Sequence, residues 1–271
     1  MTTDPIDSFQ GFSPPLYRQR YNCLIKLIQI HKITKLVDFG CAELKFLKAI
    51  TNSNEPCLQR LTNLVGVDLD QDLLEDYKFL MKPSQMQCVN KRLRRFGIDL
   101  FAGSVADRDI RVKEILEDAT PDDHYESKTL ISMIELIEHL NPDTLETFPK
   151  NMFNFLSPDF FFISTPNSDF NCIFGPDFND PEKSNHPGFR HDDHKFEWSR
   201  EEFKNWCEEM VEMYDNYEVE YIDELGHTDA SERLKVGPCS QAALFRKKSS
   251  SRIACSLSSE LTPYTRVAEN F

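Results

Sequence analysis

Short runs of strand-type apolar residues recur along this chain and alternate with stretches of helical period, the pattern of a parallel α/β sheet. The runs predict strands at Lys35–Phe39, Leu64–Asp68, Ile98–Ala102, Thr129–Ile134 and Phe160–Ser164. Two more, Glu218–Asp223 and Gln241–Phe245, complete a seven-stranded sheet at an edge read as antiparallel. One helical stripe runs through Tyr21, Leu24, Ile25 and Ile28. A second begins at a capping box, Ser199 with Glu202, and continues through Phe203, Trp206, Cys207, Met210, Val211 and Tyr214, whose aromatic rings read as core.

Three segments fall outside the pattern. Residues 1–11 are short and polar, and residues 249–271 are Ser-rich without period, so both are expected to be disordered around one domain over 12–248. Asn171–Asp193 is too long for a simple connection and reads as a candidate lid over the site that follows it.

At 271 residues and 40% hydrophobic content, the chain can bury a large single core. Its eight cysteines have no CxxC pair and several sit in apolar stretches, as reduced thiols in a reducing compartment do. With no apolar run of membrane-spanning length, a soluble intracellular protein is expected. The net charge of −14 argues against broad nonspecific binding along a nucleic-acid backbone. Basic clusters remain at Arg18 and Arg20, at Lys91, Arg92, Arg94 and Arg95, and at Arg246, Lys247 and Lys248; each reads first as a solvated charge run.

Chemistry-bearing residues gather at the predicted strand ends. After the run ending at Ile134 come Glu135, Glu138 and His139, three good metal ligands where an apolar strand stops. If the chain turns helical there, positions i, i+3 and i+4 share one face. His194, in RHDDHKFEWS, is the best candidate for a fourth ligand. Two carboxylates with two imidazoles and no thiolate favour Mn²⁺, Mg²⁺ or Co²⁺ over Zn²⁺. The plain alternative is that ELIEHL is an ordinary helix start.

In KLVDFGCAE, Asp38 and Gly40 stand between a buried strand and a helix beginning near Glu43, a place for a nucleotide-like cofactor, although the three-glycine dinucleotide fingerprint is absent. Asp68, one strand on, has the position of a carboxylate that accepts from both ribose hydroxyls. Gly40, Asp68, Ser104, Glu135 and Thr165 all stand at carboxyl ends of strands, where doubly wound sheets bind ligands. Asn167, in STPNSDFN, reads equally as a substrate-orienting residue and as a turn.

FSPPLYRQRY, VDFGCAE, GVDLD, GSVADRD, IELIEHL, STPNSDFN and DHKFEW, in this order, resemble the catalytic domain of the small-RNA 2′-O-methyltransferases that modify the 3′ ends of silencing RNAs. The resemblance runs from about Phe12 to Lys247. It implies a Rossmann-like class I methyltransferase with helices on both faces of the sheet, S-adenosylmethionine as cofactor near Gly40, Asp68 and Ser104, and one divalent cation held by Glu135, Glu138, His139 and His194. It also implies a piRNA-like single strand as substrate, with methyl transfer to the terminal 2′-hydroxyl and Glu135 or His139 as proton acceptor. A monomer in the cytoplasm or its RNA granules, supplied by an Argonaute or Piwi-type protein, is the expected setting. The rival readings are a metal-independent methyltransferase on a small molecule or protein, and an inactive module that binds RNA or a partner. Two departures from the pattern stand out. GCA replaces the GCG of many members, adding the Ala42 methyl at the cofactor turn, and the stretches Leu80–Phe101 and Gly175–His191 are longer than usual.

Overall fold

The computed structural model describes residues 11–53, 55–81, 97–118, 127–175, 178, 188–248, 261 and 263–269. The basic run at Lys91–Arg95, residues 176, 177 and 179–187 of the predicted lid and most of the predicted tails lie outside the described residues. Eight strands form one sheet in the order β6-β7-β5-β4-β1-β2-β3-β8. β1 (Lys35–Phe39), β2 (Asn63–Asp68), β3 (Gly97–Ala102), β4 (Thr129–Ile134) and β5 (Phe160–Pro166) run parallel, while β6 (Tyr217–Ile222) and β7 (Ser240–Lys247) make the expected antiparallel edge.

Alternation along the strands divides the core in two, because successive side chains leave opposite faces of the sheet. On one face Val37, Val65, Phe101, Ile131, Phe161 and Phe245 meet α4 (Ile110–Glu117), α5 (Pro142–Pro149) with the π-helical turn Lys150–Leu156 that continues it, and α6 (Arg200–Met213). On the other, Leu36, Leu64, Leu100, Leu130, Phe162 and Leu244 meet α1 (Leu16–His31) and α2 (Lys45–Asn52). With both faces covered, the central strands can be continuously apolar. α3 (Gln71–Tyr77) and the short α7 (Asp229–Leu234) are the remaining α-helices among the described residues.

The capping box on α6 is present, and Phe203, Cys207, Met210 and Tyr214 are core as expected. Cys23, Cys41, Cys57, Cys172, Cys207 and Cys239 are all free thiols. Burial pushes the Cys23 thiol up to about 12. It pushes Cys239 up to about 11. These groups are thus packed and protonated.

One expectation fails. The sequence beyond 248 was read as lying wholly outside the fold, yet β8 (Thr265–Glu269) pairs antiparallel with β3 and closes that edge. The segment has only two β-branched residues, Thr265 and Val267, too few to register as a periodic strand. Backbone hydrogen bonds to an open edge do not depend on side-chain identity. Three side chains add the specificity. Tyr264 is buried against Phe101, Arg266 Nη2 donates to Asp99 Oδ1 at 2.6 Å, and the buried Asp109 Oδ2 accepts from Tyr264 N at 2.7 Å.

Asp109 also caps α4 through Arg111 N at 2.8 Å and pairs with the Arg111 guanidinium. Its replacement by alanine removes the cap and the acceptor of Tyr264 N, and frees a partly exposed Arg111, at a cost of about 1–3 kcal/mol. Denaturant unfolding of Asp109→Ala is expected to show that loss with an unchanged m-value.

Candidate active site

The parallel strands end at one rim, and all the sequence-predicted site residues but Asp38, which lies inside the sheet, stand at or beside it. At the end of β4 the chain does not enter an α-helix. Glu135 takes a left-handed backbone, φ +50°, and Ile137–His139 form a single 3₁₀ turn. The i, i+3, i+4 convergence expected of Glu135, Glu138 and His139 therefore does not form. Instead Glu138 and His139 meet His194, and one ligand atom from each lies within 4.8 Å of the others.

Glu138 is fully buried, with Oε2 accepting from Thr165 Oγ1 at 3.0 Å and Oε1 without a partner among the described residues. Burial first, and then the neighbouring Glu135 carboxylate, hold its carboxyl well above the usual range. A buried carboxylate oxygen beside two imidazoles is a donor set for a cation of intermediate hardness. Burial pushes the His139 imidazole down, against the pull of Asp193, which favours the neutral ring that a metal binds.

His194 reaches the rim because its loop docks through the backbone: Lys195 N donates to Glu138 O at 2.7 Å. Its Nδ1 lies 2.6 Å from Glu197 Oε1, which leaves Nε2 as the ring nitrogen for an ion. Glu197 is held in turn by Asn171 Nδ2 at 2.8 Å and Arg190 N at 2.6 Å, while the Arg190 guanidinium donates to Asn171 Oδ1 and to Cys239 O. Asp193 Oδ2 stands 3.0 Å from His139 Nδ1. Sequence reasoning missed Asp193, Glu197 and Arg190. Their signal was available in RHDDHKFEW, where carboxylates flank the candidate ligand.

Glu135 sits beside this cluster but is engaged elsewhere. It pairs with Arg20 Nη2 at 2.7 Å and accepts from Ser164 Oγ at 3.0 Å and Ser240 Oγ at 2.6 Å. Arg20, read from sequence as part of a solvated run, instead brings α1 to the rim. Asn167 is a buried structural residue: it caps the 3₁₀ helix Ser168–Phe174 and donates to Val236 O and Pro238 O.

The cofactor candidates line the adjoining part of the rim. Asp68 Oδ2 accepts from Ala42 N at 2.8 Å and Oδ1 from Asp70 N at 3.0 Å, which fixes the carboxylate across the turn after β1. Gly40, φ +72°, lies where a Cβ would come within 2.9 Å of the Leu136 side chain. Ala42 holds a left-handed backbone, φ +42°, one that glycine adopts freely, so the departure from GCG is accommodated with strain. Ser104 is half-exposed on the loop after β3. Asp38 differs from the other three: it is buried inside the sheet and accepts from Ser132 Oγ at 2.7 Å. Burial raises its carboxyl to about 7, opposed by the Ser132 hydroxyl and assisted by Asp68.

A mostly parallel sheet flanked on both faces, with a glycine turn after the first strand and an acidic residue ending the second, defines a Rossmann-like class I methyltransferase fold. No protein-family model matches the chain. The small RNA 2′-O-methyltransferase of Drosophila melanogaster is 38% identical over 241 residues, 88% of this chain and 56% of that protein. That of Rattus norvegicus is 37% identical over 236 residues, 87% of this chain and 52% of its own length. The crystal structure of the small RNA methyltransferase HEN1 superposes with a TM-score of 0.71 at 27% identity, covering 99% of this chain and 29% of that one. The methyltransferase domain of a bacterial Hen1 gives 0.61 at 26% identity, covering 85% of this chain and 99% of that one. The chain is similar to the small RNA 2′-O-methyltransferases over most of its own length, and it spans about half the length of the animal relatives it matches.

Asp38 generates a pH prediction. A carboxyl whose folded pKa is raised contributes stability that is fully present below its unfolded pKa, ~3.9, and is lost as pH rises through the folded value. Here the loss falls between about 4 and about 7. Asp38→Asn keeps the Ser132 contact and removes that titration. Its melting temperature is therefore expected to gain on wild type as pH rises from 5 to 8, a trend that thermal melts across that range will show or exclude.

Proposed function

We propose that this chain transfers a methyl group from S-adenosylmethionine to the 2′-hydroxyl of the 3′-terminal nucleotide of a small, piRNA-like single-stranded RNA, using one divalent cation. The observation that carries this reading is the buried Glu138, whose Oε1 has no partner among the described residues, grouped with His139 and His194 on the same rim as Asp68 and Gly40. The similarity to the small RNA 2′-O-methyltransferases supports it from outside the geometry. In the same reading an Argonaute or Piwi-type protein supplies the RNA, and the enzyme works as a cytoplasmic monomer.

Glu138, His139 and His194 would hold the cation, with Glu135 able to join them if its carboxylate leaves Arg20. When bound there, a divalent ion lowers the pKa of a hydroxyl that it touches and fixes its position. The chain's own part is placement. Asp68 would accept from the cofactor ribose hydroxyls, and Gly40 lets the backbone approach the cofactor without a side chain between them. Glu197 and Thr165 hold the ligands rigid, which keeps the terminal ribose aligned for in-line transfer. The 2′-hydroxyl proton passes to a group of this cluster, His139 or Glu135. Selection for the RNA terminus follows from chelation. A free terminal ribose offers adjacent 2′ and 3′ oxygens, whereas an internal ribose has its 3′ oxygen esterified.

Methyl transfer to a single-stranded RNA with free or blocked 3′ ends, with and without chelator, tests the whole reading. Equal turnover of both ends, or full activity in chelator, would refute it.

Two predictions isolate its parts. Asp68→Ala should weaken S-adenosylmethionine binding at least about tenfold, the loss of hydrogen bonds to a charged acceptor, while RNA affinity holds. Calorimetry on the folded variant measures both.

His194→Ala and Glu138→Gln should abolish Mn²⁺ binding and methyl transfer together, with cofactor affinity within about threefold of wild type. Glu197→Gln should weaken Mn²⁺ binding by about 10–100-fold, as loss of an orienting carboxylate does. In chelator, Glu138→Gln is expected to melt no lower than wild type, because it replaces a buried carboxyl that must otherwise take up a proton while keeping the Thr165 contact. Titration calorimetry with Mn²⁺ and melts in chelator check this set.

A further inference from the structure

The loop after β3 carries Ser104 and is fixed to the rim at its first residue, where Gly103 N donates to Asp68 O at 2.8 Å. Two unrelated elements grip the rest of it. From the π-helical turn, the buried Asn151 donates through Nδ2 to Val105 O at 2.8 Å and to Asp107 O at 2.6 Å. From the C-terminal segment, Tyr264 Oη donates to Asp107 O at 2.9 Å and Tyr264 N to Asp109 Oδ2 at 2.7 Å, while Arg111 donates to Tyr264 O. The Tyr264 ring lies so close over Gly103 that a Cβ there would stand 1.9 Å from the ring carbon Cδ1. Any side chain at 103 would expel the ring. Arg111 and Arg266 flank Phe101 beneath it, at 4.8 and 5.5 Å from the ring centroid.

We propose that the C-terminal segment Pro263–Glu269 is a strap that sets cofactor affinity: Tyr264, seated on Gly103, holds the 103–109 loop in its cofactor-binding conformation. The inference rests on the cofactor placement proposed above. The strap touches no proposed cofactor contact with its own side chains. It acts through the loop backbone, so Tyr264 is a positioning residue. If the seated loop alone binds the cofactor, releasing it divides affinity by the fraction of time the loop remains seated. By linkage, bound cofactor must stabilise the strap to the same degree.

In the full chain, Tyr264→Ala is expected to weaken binding of S-adenosylhomocysteine, used as the probe in calorimetry, by about tenfold. Tyr264→Phe loses only the Asp107 contact and should stay within about threefold. Mn²⁺ affinity should not change in either variant, because the metal ligands stand on other elements. In wild type, hydrogen exchange should show amides of 103–109 and 265–269 gaining protection together as S-adenosylhomocysteine is added. Wild-type affinity in a folded Tyr264→Ala, or protection gained by the loop while the strand stays unchanged, would overturn the strap. If Tyr264→Ala does not fold, the wild-type exchange experiment decides alone. Asp68→Ala separates the two readings. If it keeps cofactor affinity, the cofactor site is misplaced; if it loses affinity while Tyr264→Ala does not, the strap alone fails.

Discussion

A carboxylate buried without a full set of partners is the constraint around which this rim is organised. Glu138 has one oxygen satisfied by Thr165 and the other without a partner among the described residues, in a place where water does not reach it. An uncompensated ionised carboxyl at such a depth costs several kcal/mol, so the site needs either a proton or a cation. The surrounding structure spends rigid contacts to keep that need in place. The 3₁₀ turn presents Glu138 and His139 from the end of β4, the 188–197 loop docks on the Glu138 carbonyl to bring His194, and Glu197 fixes which imidazole nitrogen is left for an ion.

The second organising feature is the turn after β1 and its bond to β2. Asp68 does two jobs with one carboxylate, bracing the strained Ala42 and standing where a ribose would be recognised. Its backbone carbonyl then ties in Gly103, so the first three strand ends form one connected edge. On the other part of the rim Arg20 reaches Glu135 and Ser240 from α1. Cofactor and cation candidates thus stand on one rim of one sheet, as the proposed transfer would require.

The strands, the α6 capping box and the aromatic core of α6 were legible in the sequence because each depends on local period or local capping, and Gly40, Asp68, Ser104 and Glu135 do stand at or just past the ends of strands. What was misread depends on contacts between distant segments. Glu135 was grouped with Glu138 and His139 on the premise of an α-helix. A left-handed residue at 135 breaks that premise, and nothing in ELIEHL announces it. Asn167 could be substrate-facing or structural on sequence alone, and its bonds to Val236 and Pro238, some seventy residues away, make it structural.

The sequence by itself determined a doubly wound sheet, the identity of the chemistry-bearing residues and their order along the rim, since strand periodicity and residue chemistry are local properties. Tertiary structure alone decided which of them converge. It set Glu135 on Arg20, put Asp38 inside the sheet, gave His194 its orienting carboxylate and recruited Thr265–Glu269 as an eighth strand. The physical reason is the same in each case. A charged or polar group settles where its hydrogen bonds are completed, and the partners that complete them come from other parts of the chain.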